Sequence, residues 1–238
     1  MDERLIRLAC LLNPEEMDAL AHAHVAVFGV GGVGGSAMEA LARSGIGNID
    51  VIDNDIVAPS NLNRQIIATE KTLGQAKVDA AVARIHDINP HIHASAHNCF
   101  YLPENSDMFD FHKYDYVLDC IDTVSAKLDL IVQCQKAGTP IVSAMGCGNR
   151  LDPSKLLVCD IYQTKGDPLA KVMRHELRKR GIKKLTVVYS AEEPIKPLLK
   201  LESENRRSTP GSSPFVPPAA GLLMASYVVR AIAQGGRK

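Results

Sequence analysis

The run Val25-Ala26-Val27-Phe28-Gly29-Val30-Gly31-Gly32-Val33-Gly34-Gly35 constrains this chain more than any other stretch. An apolar, strand-forming segment gives way to a glycine-rich turn, and Ser36-Ala37-Met38-Glu39-Ala40-Leu41-Ala42 then reads as a helix. Gly29, Gly31 and Gly34 fit G-x-G-x-x-G. In that motif the first glycine permits the tight turn, the second lets backbone approach a phosphate, and the third lets the helix pack close to the strand. Unpaired N–H groups and the positive end of the helix dipole then face an anion. The motif expects acids about twenty residues on, and Val51-Ile52-Asp53-Asn54-Asp55 supplies them. Nucleotide binding follows; NAD and ATP are not yet separated.

The 238 residues suffice for one large α/β domain or two small ones. A hydrophobic content of 46% with 23% charged residues suits a globular protein with a sizeable core. Lys+Arg 27 balances Asp+Glu 27, so only local clusters can argue for an acidic partner. The six cysteines form no C-x-x-C pair, which argues against a structural zinc site and against a redox dithiol. Most are expected to be small buried hydrophobes. No signal peptide pattern opens the chain, and the longest apolar stretch, 219–233, is too short to span a bilayer and carries Arg230. A cytoplasmic chain with reduced thiols is expected.

Along the chain, the pattern predicts an amphipathic helix over 1–12 and a second one started by Asn13-Pro14-Glu15-Glu16 and ending near His22. Strands are predicted at 25–28, 49–53, 91–97, 114–120 and 140–144. Helices are predicted at 74–88 and 125–137, with a short helix at 103–111 and a loop or short helix at 56–65. This alternation predicts an α/β fold with a doubly wound, largely parallel Rossmann-like sheet. After Gly146 the pattern changes. Strands at 156–162 and 185–189 flank a basic helix at 168–180. A polar segment, 201–214, reads as a mobile loop, and a buried helix is expected at 217–234. We read one domain over 1–238: N-terminal helices 1–23, a nucleotide-binding core 24–147, and a C-terminal elaboration 148–238.

Four further features bear on the cofactor. In Asn61-Leu62-Asn63-Arg64-Gln65, Arg64 can neutralise phosphate charge and Asn61 can hydrogen-bond it, or the pair is a helix cap and a surface arginine. Lys77 lies at the start of the next helix. Asp119-Cys120-Ile121-Asp122 ends the fourth strand, at the edge where open α/β sheets bind ligands. A carboxylate there can hold Mg²⁺ between phosphates, or Asp122 caps the following helix. Arg7 precedes the fold and reads either as a ligand-directed cation or as a plain surface charge. An NAD enzyme has no need of an arginine, a lysine and a second carboxylate around its phosphates; a triphosphate with magnesium does.

With these motifs in order, residues 7–148 resemble the E1-like family of adenylating enzymes. Gly74-Gln75-Ala76-Lys77 and Ile88-Asn89-Pro90 add to the glycine turn, Asp53-Asn54-Asp55, the Asn61–Gln65 run and the Asp119–Asp122 run. The resemblance implies that ATP and Mg²⁺ are used to join a carboxylate to AMP. It places Gly29, Gly31, Gly32, Gly34, Asp53, Asp55, Asn61, Arg64, Gln65 and Lys77 around the nucleotide, with Asp53 on the ribose. Arg64 and Lys77 are implied at the phosphates and Asp122 at the metal. It also implies a homodimer in which an N-terminal arginine reaches the partner subunit's site, with Arg7 preferred to Arg4.

The sulfur-carrier activators of the family usually carry two C-x-x-C pairs, and this chain has none. Its C-terminal half instead resembles the branch that acts on threonylcarbamoyladenosine in tRNA. The residues are Asn149-Arg150-Leu151-Asp152-Pro153, Thr164-Lys165-Gly166-Asp167-Pro168-Leu169-Ala170, Val188-Tyr189-Ser190-Ala191-Glu192-Glu193, and Pro210-Gly211-Ser212 with Phe215-Val216-Pro217. That branch implies adenylation of the substrate carboxylate, ring closure that expels AMP, and net loss of water. The alternative is adenylation of the C-terminus of a ubiquitin-like sulfur-carrier protein, and the resemblance also admits a sulfur-transfer protein as a partner. No protein nucleophile is required, so Cys147 is read as structural. The cations between Lys165 and Lys184 are expected to form an RNA-backbone patch, with Arg206 and Arg207 of the polar segment closing over it; a solvated helix end is the plainer reading.

Overall fold

A computed structural model describes residues 2–199 and 210–235. Seven strands form one sheet: β1 (His24–Phe28), β2 (Asn48–Ile52), β3 (His93–His97), β4 (Tyr116–Asp119), β5 (Ile141–Ala144), β6 (Leu156–Asp160) and β7 (Thr186–Ser190). Their order is β3-β2-β1-β4-β5-β7-β6, and every pairing is parallel except β6 with β7. The sheet is therefore doubly wound, as the alternation of strands and helices predicts. After β1 the chain first builds outward through β2 and β3, then returns to place β4 on the other side of β1. The switch point lies between β1 and β4, and open α/β sheets bind ligands at that position.

After His24, β1 is apolar and buried because both of its faces are covered. Val25 and Val27 join a core with α3 (Gly32–Arg43), α4 (Lys77–Ile88) and α7 (Val216–Gly235). Ala26 and Phe28 face the opposite layer, where Tyr101, Phe109, Phe111 and Tyr114 cluster beneath α5 (Val124–Ala137). A third cluster joins α5 to α6 (Pro168–Lys179) and β7.

Several expected boundaries move. The helix after the glycine turn begins at Gly32, not Ser36, because Gly31 is already in the extended conformation of an N-cap. The helix expected from Gly74 begins at Lys77; Gly74 has φ +80° and ends a turn instead. Residues 1–12 hold only a 3₁₀ turn, Glu3–Leu5, and the single-turn α1 (Ile6–Ala9), followed by α2 (Pro14–His22) with its capping box of Asn13 and Glu16. The short helix expected over 103–111 is 3₁₀ rather than α and ends at Met108, with a second 3₁₀ turn starting at Phe111.

The apolar C-terminal stretch is longer than its sequence suggested. α7 has 20 residues and by length and composition is long enough to cross a membrane, which corrects the expectation from 219–233. Here it is a core helix. A Cβ on Gly221 would lie 2.1 Å from the Val33 carbonyl oxygen, so α7 presses backbone to backbone on the first turn of α3.

Of the polar segment expected to be mobile, 201–209, with Arg206 and Arg207, lies outside the described residues. The described part is anchored. Asn149 exchanges two hydrogen bonds with Gly211, at 2.6 and 2.7 Å, and Asn63 Nδ2 donates to the Ser212 carbonyl at 2.9 Å. Asn149 takes φ +58° to do so, a conformation that asparagine tolerates better than most residues.

Candidate nucleotide site

The glycine turn is built as its spacing demands. Gly29 has φ +89°, and a Cβ on it would meet the Cys120 carbonyl oxygen at 2.8 Å. The ends of β1 and β4 therefore touch, and the Asp119–Asp122 turn sits beside the glycine turn. A Cβ on Gly34 would lie 1.8 Å from the Gly29 carbonyl oxygen. Gly31 differs: within 4 Å its Cβ would meet only the Gln65 Nε2, at 3.9 Å. Its backbone offers an open cradle at the N-terminus of α3, whose first amides and dipole suit an anion.

Asp53, at the end of β2, stabilises this turn. Its Oδ2 accepts from the Val30 amide at 2.7 Å and its Oδ1 from the Asp55 amide at 2.9 Å. Asp55 in turn holds Lys77, whose Nζ lies 2.6 Å from Asp55 Oδ2 and 3.9 Å from Asp53 Oδ1. Lys77 is buried while Asp55 is largely exposed. A phosphate that takes Lys77 would exchange places with an exposed carboxylate and leave the ammonium paired throughout.

Arg64 stands on the other side of the turn. Its Cγ would be 3.4 Å from a Cβ on Gly32, where Pro217 at the start of α7 also closes in. The guanidinium donates to the Ser60 carbonyl at 2.8 Å and to Asn63 Oδ1 at 2.9 Å. It has no carboxylate partner among the described residues, and burial pushes its pKa down. A half-buried cation without a counter-ion, beside a helix N-terminus, is suited to an anionic ligand. Asn61 uses its Oδ1 to accept from the Ala58 amide at 3.0 Å, so the turn-capping alternative is realised for that atom. Gln65 is buried next to Gly31, and its Oε1 has no hydrogen-bond partner among the described residues. A nucleotide hydroxyl or amino group would supply the missing donor, so the site fits the nucleotide.

Asp122 is exposed at the carboxyl end of the switch-point crevice. The N-cap position of α5 is Thr123, which makes no side-chain cap hydrogen bond, and Asp122 precedes it, accepting from the Thr123 hydroxyl at 3.5 Å. Among the described residues no cluster of three or more His, Cys, Asp or Glu side chains is poised to hold a metal. One carboxylate beside a phosphate cradle nevertheless fits Mg²⁺, which takes one or two protein oxygens and completes its shell with substrate phosphates and water.

Sequence reasoning missed the support beneath Asp122. Lys127 and Asp119 are wholly buried and lie 2.8 Å apart. Lys127 Nζ also donates to the Ile121 carbonyl at 3.1 Å, and Asp119 Oδ1 accepts from the Ile121 amide at 3.2 Å. Ser143 on β5 donates to the remaining lone pairs of Asp119. The residue preceding Asp122 is thus gripped on both sides. The available signal was the i, i+4, i+7 stripe Lys127, Ile131, Cys134, which puts a lysine on a buried helix face.

Cys147 is buried, and burial pushes its thiol up to about 12, which keeps it protonated and disfavours a thiolate. Arg7 is exposed on α1 and has no ion-pair partner among the described residues, whereas Arg4 is bound bidentately by Asp2, Nε to Oδ1 and Nη2 to Oδ2. α1 follows Leu5, which packs on Gly45 beyond the far end of α3. About 18 Å of helix, at about 1.5 Å per residue, separates that end from the glycine turn.

A doubly wound sheet with a phosphate cradle, a buried lysine, an arginine with no carboxylate partner among the described residues and a carboxylate at one switch point defines a nucleotide-binding enzyme of the adenylating kind. A model of the ThiF family matches residues 3–236, and the chain belongs to that family. A Bacillus subtilis (strain 168) protein named tRNA threonylcarbamoyladenosine dehydratase is 43% identical over 228 residues, 92% of this chain and 90% of that one. The E. coli tRNA N6-threonylcarbamoyladenosine dehydratase, solved in complex with AMP, matches with a TM-score of 0.90 at 33% identity, over 99% of this chain and 96% of that one. The same E. coli protein in complex with ATP matches with a TM-score of 0.89 at 32% identity, over 99% and 96%.

Proposed function

We propose that this chain is an ATP-dependent enzyme that dehydrates N6-threonylcarbamoyladenosine in tRNA through an adenylated carboxylate. The observation that carries the reading is Arg64, a half-buried cation with no carboxylate partner among the described residues, beside the Gly31 cradle. It stands in a fold that matches an ATP-bound dehydratase over nearly its full length.

The residues suit the chemistry. A carboxylate is a poor acyl donor because its oxygen is a poor leaving group. Attack of that oxygen on the α-phosphate of ATP expels pyrophosphate and leaves an acyl-adenylate. The α3 amides, Arg64 and Lys77 meet the charge that develops on the phosphates. Asp122 would hold Mg²⁺, whose chemistry is to neutralise the polyphosphate. A nucleophile already on the modified nucleoside then attacks the acyl carbon, and AMP departs with the carboxylate oxygen. Ring closure gains from proximity and needs no nucleophile from the protein. The substrate therefore loses one water in total, and ATP becomes AMP and pyrophosphate.

The site is completed across a homodimer. Arg7 lies at the far end of α3 from its own glycine turn, so any contact it makes with nucleotide is with the partner's. Adenylation of a carrier protein, the other activity in the family, has no feature of this chain that favours it.

Incubation with ATP, Mg²⁺ and tRNA bearing threonylcarbamoyladenosine tests the proposal. The nucleoside is expected to lose the mass of one water, with AMP appearing in step. ATP with Mg²⁺ is expected to raise Tm and NAD is not. An unchanged nucleoside mass, or equal stabilisation by both nucleotides, overturns the reading.

A further inference from the structure

We propose that the outward face of α6 is a track for the RNA backbone, leading away from the nucleotide crevice to the opposite edge of the sheet. This rests on the reading that the substrate nucleoside belongs to a tRNA.

α6 begins at the crevice end. Its N-cap, Asp167, accepts from the Ala170 amide at 2.7 Å, and Asp167 Oδ2 would lie 2.8 Å from a Cβ on Gly146, just past the carboxyl end of β5. Arg150 clamps this junction, donating to Asp167 at 3.0 Å and to the Gly146 carbonyl. α6 ends at the other edge. Tyr162 donates to the Ile182 carbonyl, and the chain enters β7 at Thr186, the amino end of a strand parallel to β5. Twelve residues at about 1.5 Å each give about 18 Å. At about 3.4 Å per phosphate along one strand of a duplex, that length spans about five phosphates.

The helix sorts its charges. Val172, Glu176 and Arg180 line a groove against Leu128 and Val132 of α5. Glu176, the one acid within α6, lies in that stripe and takes Lys179 at 2.9 Å and Arg180 at 2.8 Å. Lys171, His175 and Arg178, at i, i+4 and i+7, form the outward stripe. Lys165 precedes the helix on the crevice side, and Lys183 and Lys184 follow it at the far edge. Lys165, Lys171, Lys183 and Lys184 are exposed and have no hydrogen-bond or ion-pair partner among the described residues. The fold does not use these charges. By their chain positions they extend from the crevice end of α6 to its far end, and the Tyr162 ring on this side is covered by Arg178 at 5.0 Å. Such a surface positions phosphates without reading bases. A single-stranded loop can present its splayed nucleoside to the crevice while the stem behind it lies along α6.

Reversal of Arg178, Lys179 and Arg180 would also break the contacts with Tyr162 and Glu176. The test therefore uses K165E, K171E, K183E and K184E together, with the Lys→Gln set as a second variant that removes charge without adding acid. Affinity for tRNA is measured between about 50 and 200 mM salt, where each phosphate contact contributes about 0.7–0.9 to the salt slope. The Glu set is expected to raise Kd at least about tenfold and to flatten the slope by about 3, and the Gln set to show the same trend more weakly. ATP affinity and turnover of a short loop oligonucleotide bearing the modified nucleoside are expected to stay at the wild-type level. Unaltered tRNA affinity and slope in both sets overturn the track. Failure of the wild type to dehydrate either RNA overturns the substrate reading itself, and the track with it.

Discussion

At the scale of single residues, buried charge gives the clearest tests. Lys127 and Asp119 are a fully buried pair, and such pairs often contribute little net stability over an apolar substitute. Removal of one partner is different, because it strands the other charge. Lys127→Met is expected to destabilise the fold by about 3–5 kcal/mol in urea unfolding. Lys127→Met combined with Asp119→Asn should recover much of that loss. It should still weaken the Mg²⁺-dependent part of ATP binding, because the Ile121 peptide before Asp122 loses its grip on both sides. A single variant as stable as wild type would remove the argument. Asp50 makes a second case. Burial pushes its pKa up, but hydrogen bonds from His24 and Tyr114 and the nearby His97 outweigh this and bring it to about 2. A lowered folded pKa contributes stability that is full above the unfolded value of about 3.9 and is lost as pH falls through about 2. Wild type should therefore lose on the order of 2 kcal/mol more than Asp50→Asn between pH 5 and 2, measured from urea midpoints. A parallel pair of pH profiles would contradict this. Gly29, Gly31 and Gly34 were legible in the sequence because their spacing carries a mechanism. Lys127 was not, because a lysine in a helical pattern is assigned to solvent until its face is projected.

At the scale of elements, strands were legible and helix ends were not. Alternation and apolar runs placed every strand to within a few residues, since both faces of the inner strands are covered. Helix starts depend on backbone geometry instead: α3 begins at Gly32, five residues before Ala37, the first residue with good helix propensity in its run. The antiparallel direction of β6 left no mark on its composition. α7 was read as buried, and its partner was not identifiable, because backbone contact between helices shows in sequence only as a small residue. Gly221 is that residue, and it links packing to function through the first turn of α3. Gly221→Ala would put a Cβ 2.1 Å from the Val33 carbonyl oxygen and 2.9 Å from the Ala37 amide. Since the core cannot absorb such overlap, α7 and α3 must part, at a cost of about 1–3 kcal/mol. The α3 amides at the phosphate cradle move with them. A Gly221→Ala protein is expected to lose several degrees of Tm and, at temperatures where it stays folded, to bind ATP more weakly than wild type. Loss of Tm with unchanged ATP affinity would show that the cradle is insulated from this contact.

At the scale of the whole molecule, the sheet order places every candidate ligand of the nucleotide except one at a single edge. The exception is Arg7, on the short N-terminal helix packed near the far end of α3. The sequence could not give this distance, since Arg7 lies only 22 positions before Gly29 yet on the far side of α3 from it. In a two-fold dimer the same surface serves both subunits, so an arginine far from its own site can lie at its partner's. Complementation decides the matter. Arg7→Ala and Asp122→Asn proteins should each be nearly inactive. In a mixed dimer one site combines the intact Asp122 of one subunit with the intact Arg7 of the other, while the second site has neither. Random re-assortment at equal concentrations makes half the dimers mixed, so about one quarter of wild-type turnover should return, as two-fold symmetry requires. If Arg7 acted within its own subunit, neither site of the mixed dimer would be whole, and no activity would return. A monomer at assay concentration in sedimentation, or an Arg7→Ala protein with full activity, would remove Arg7 from the site altogether.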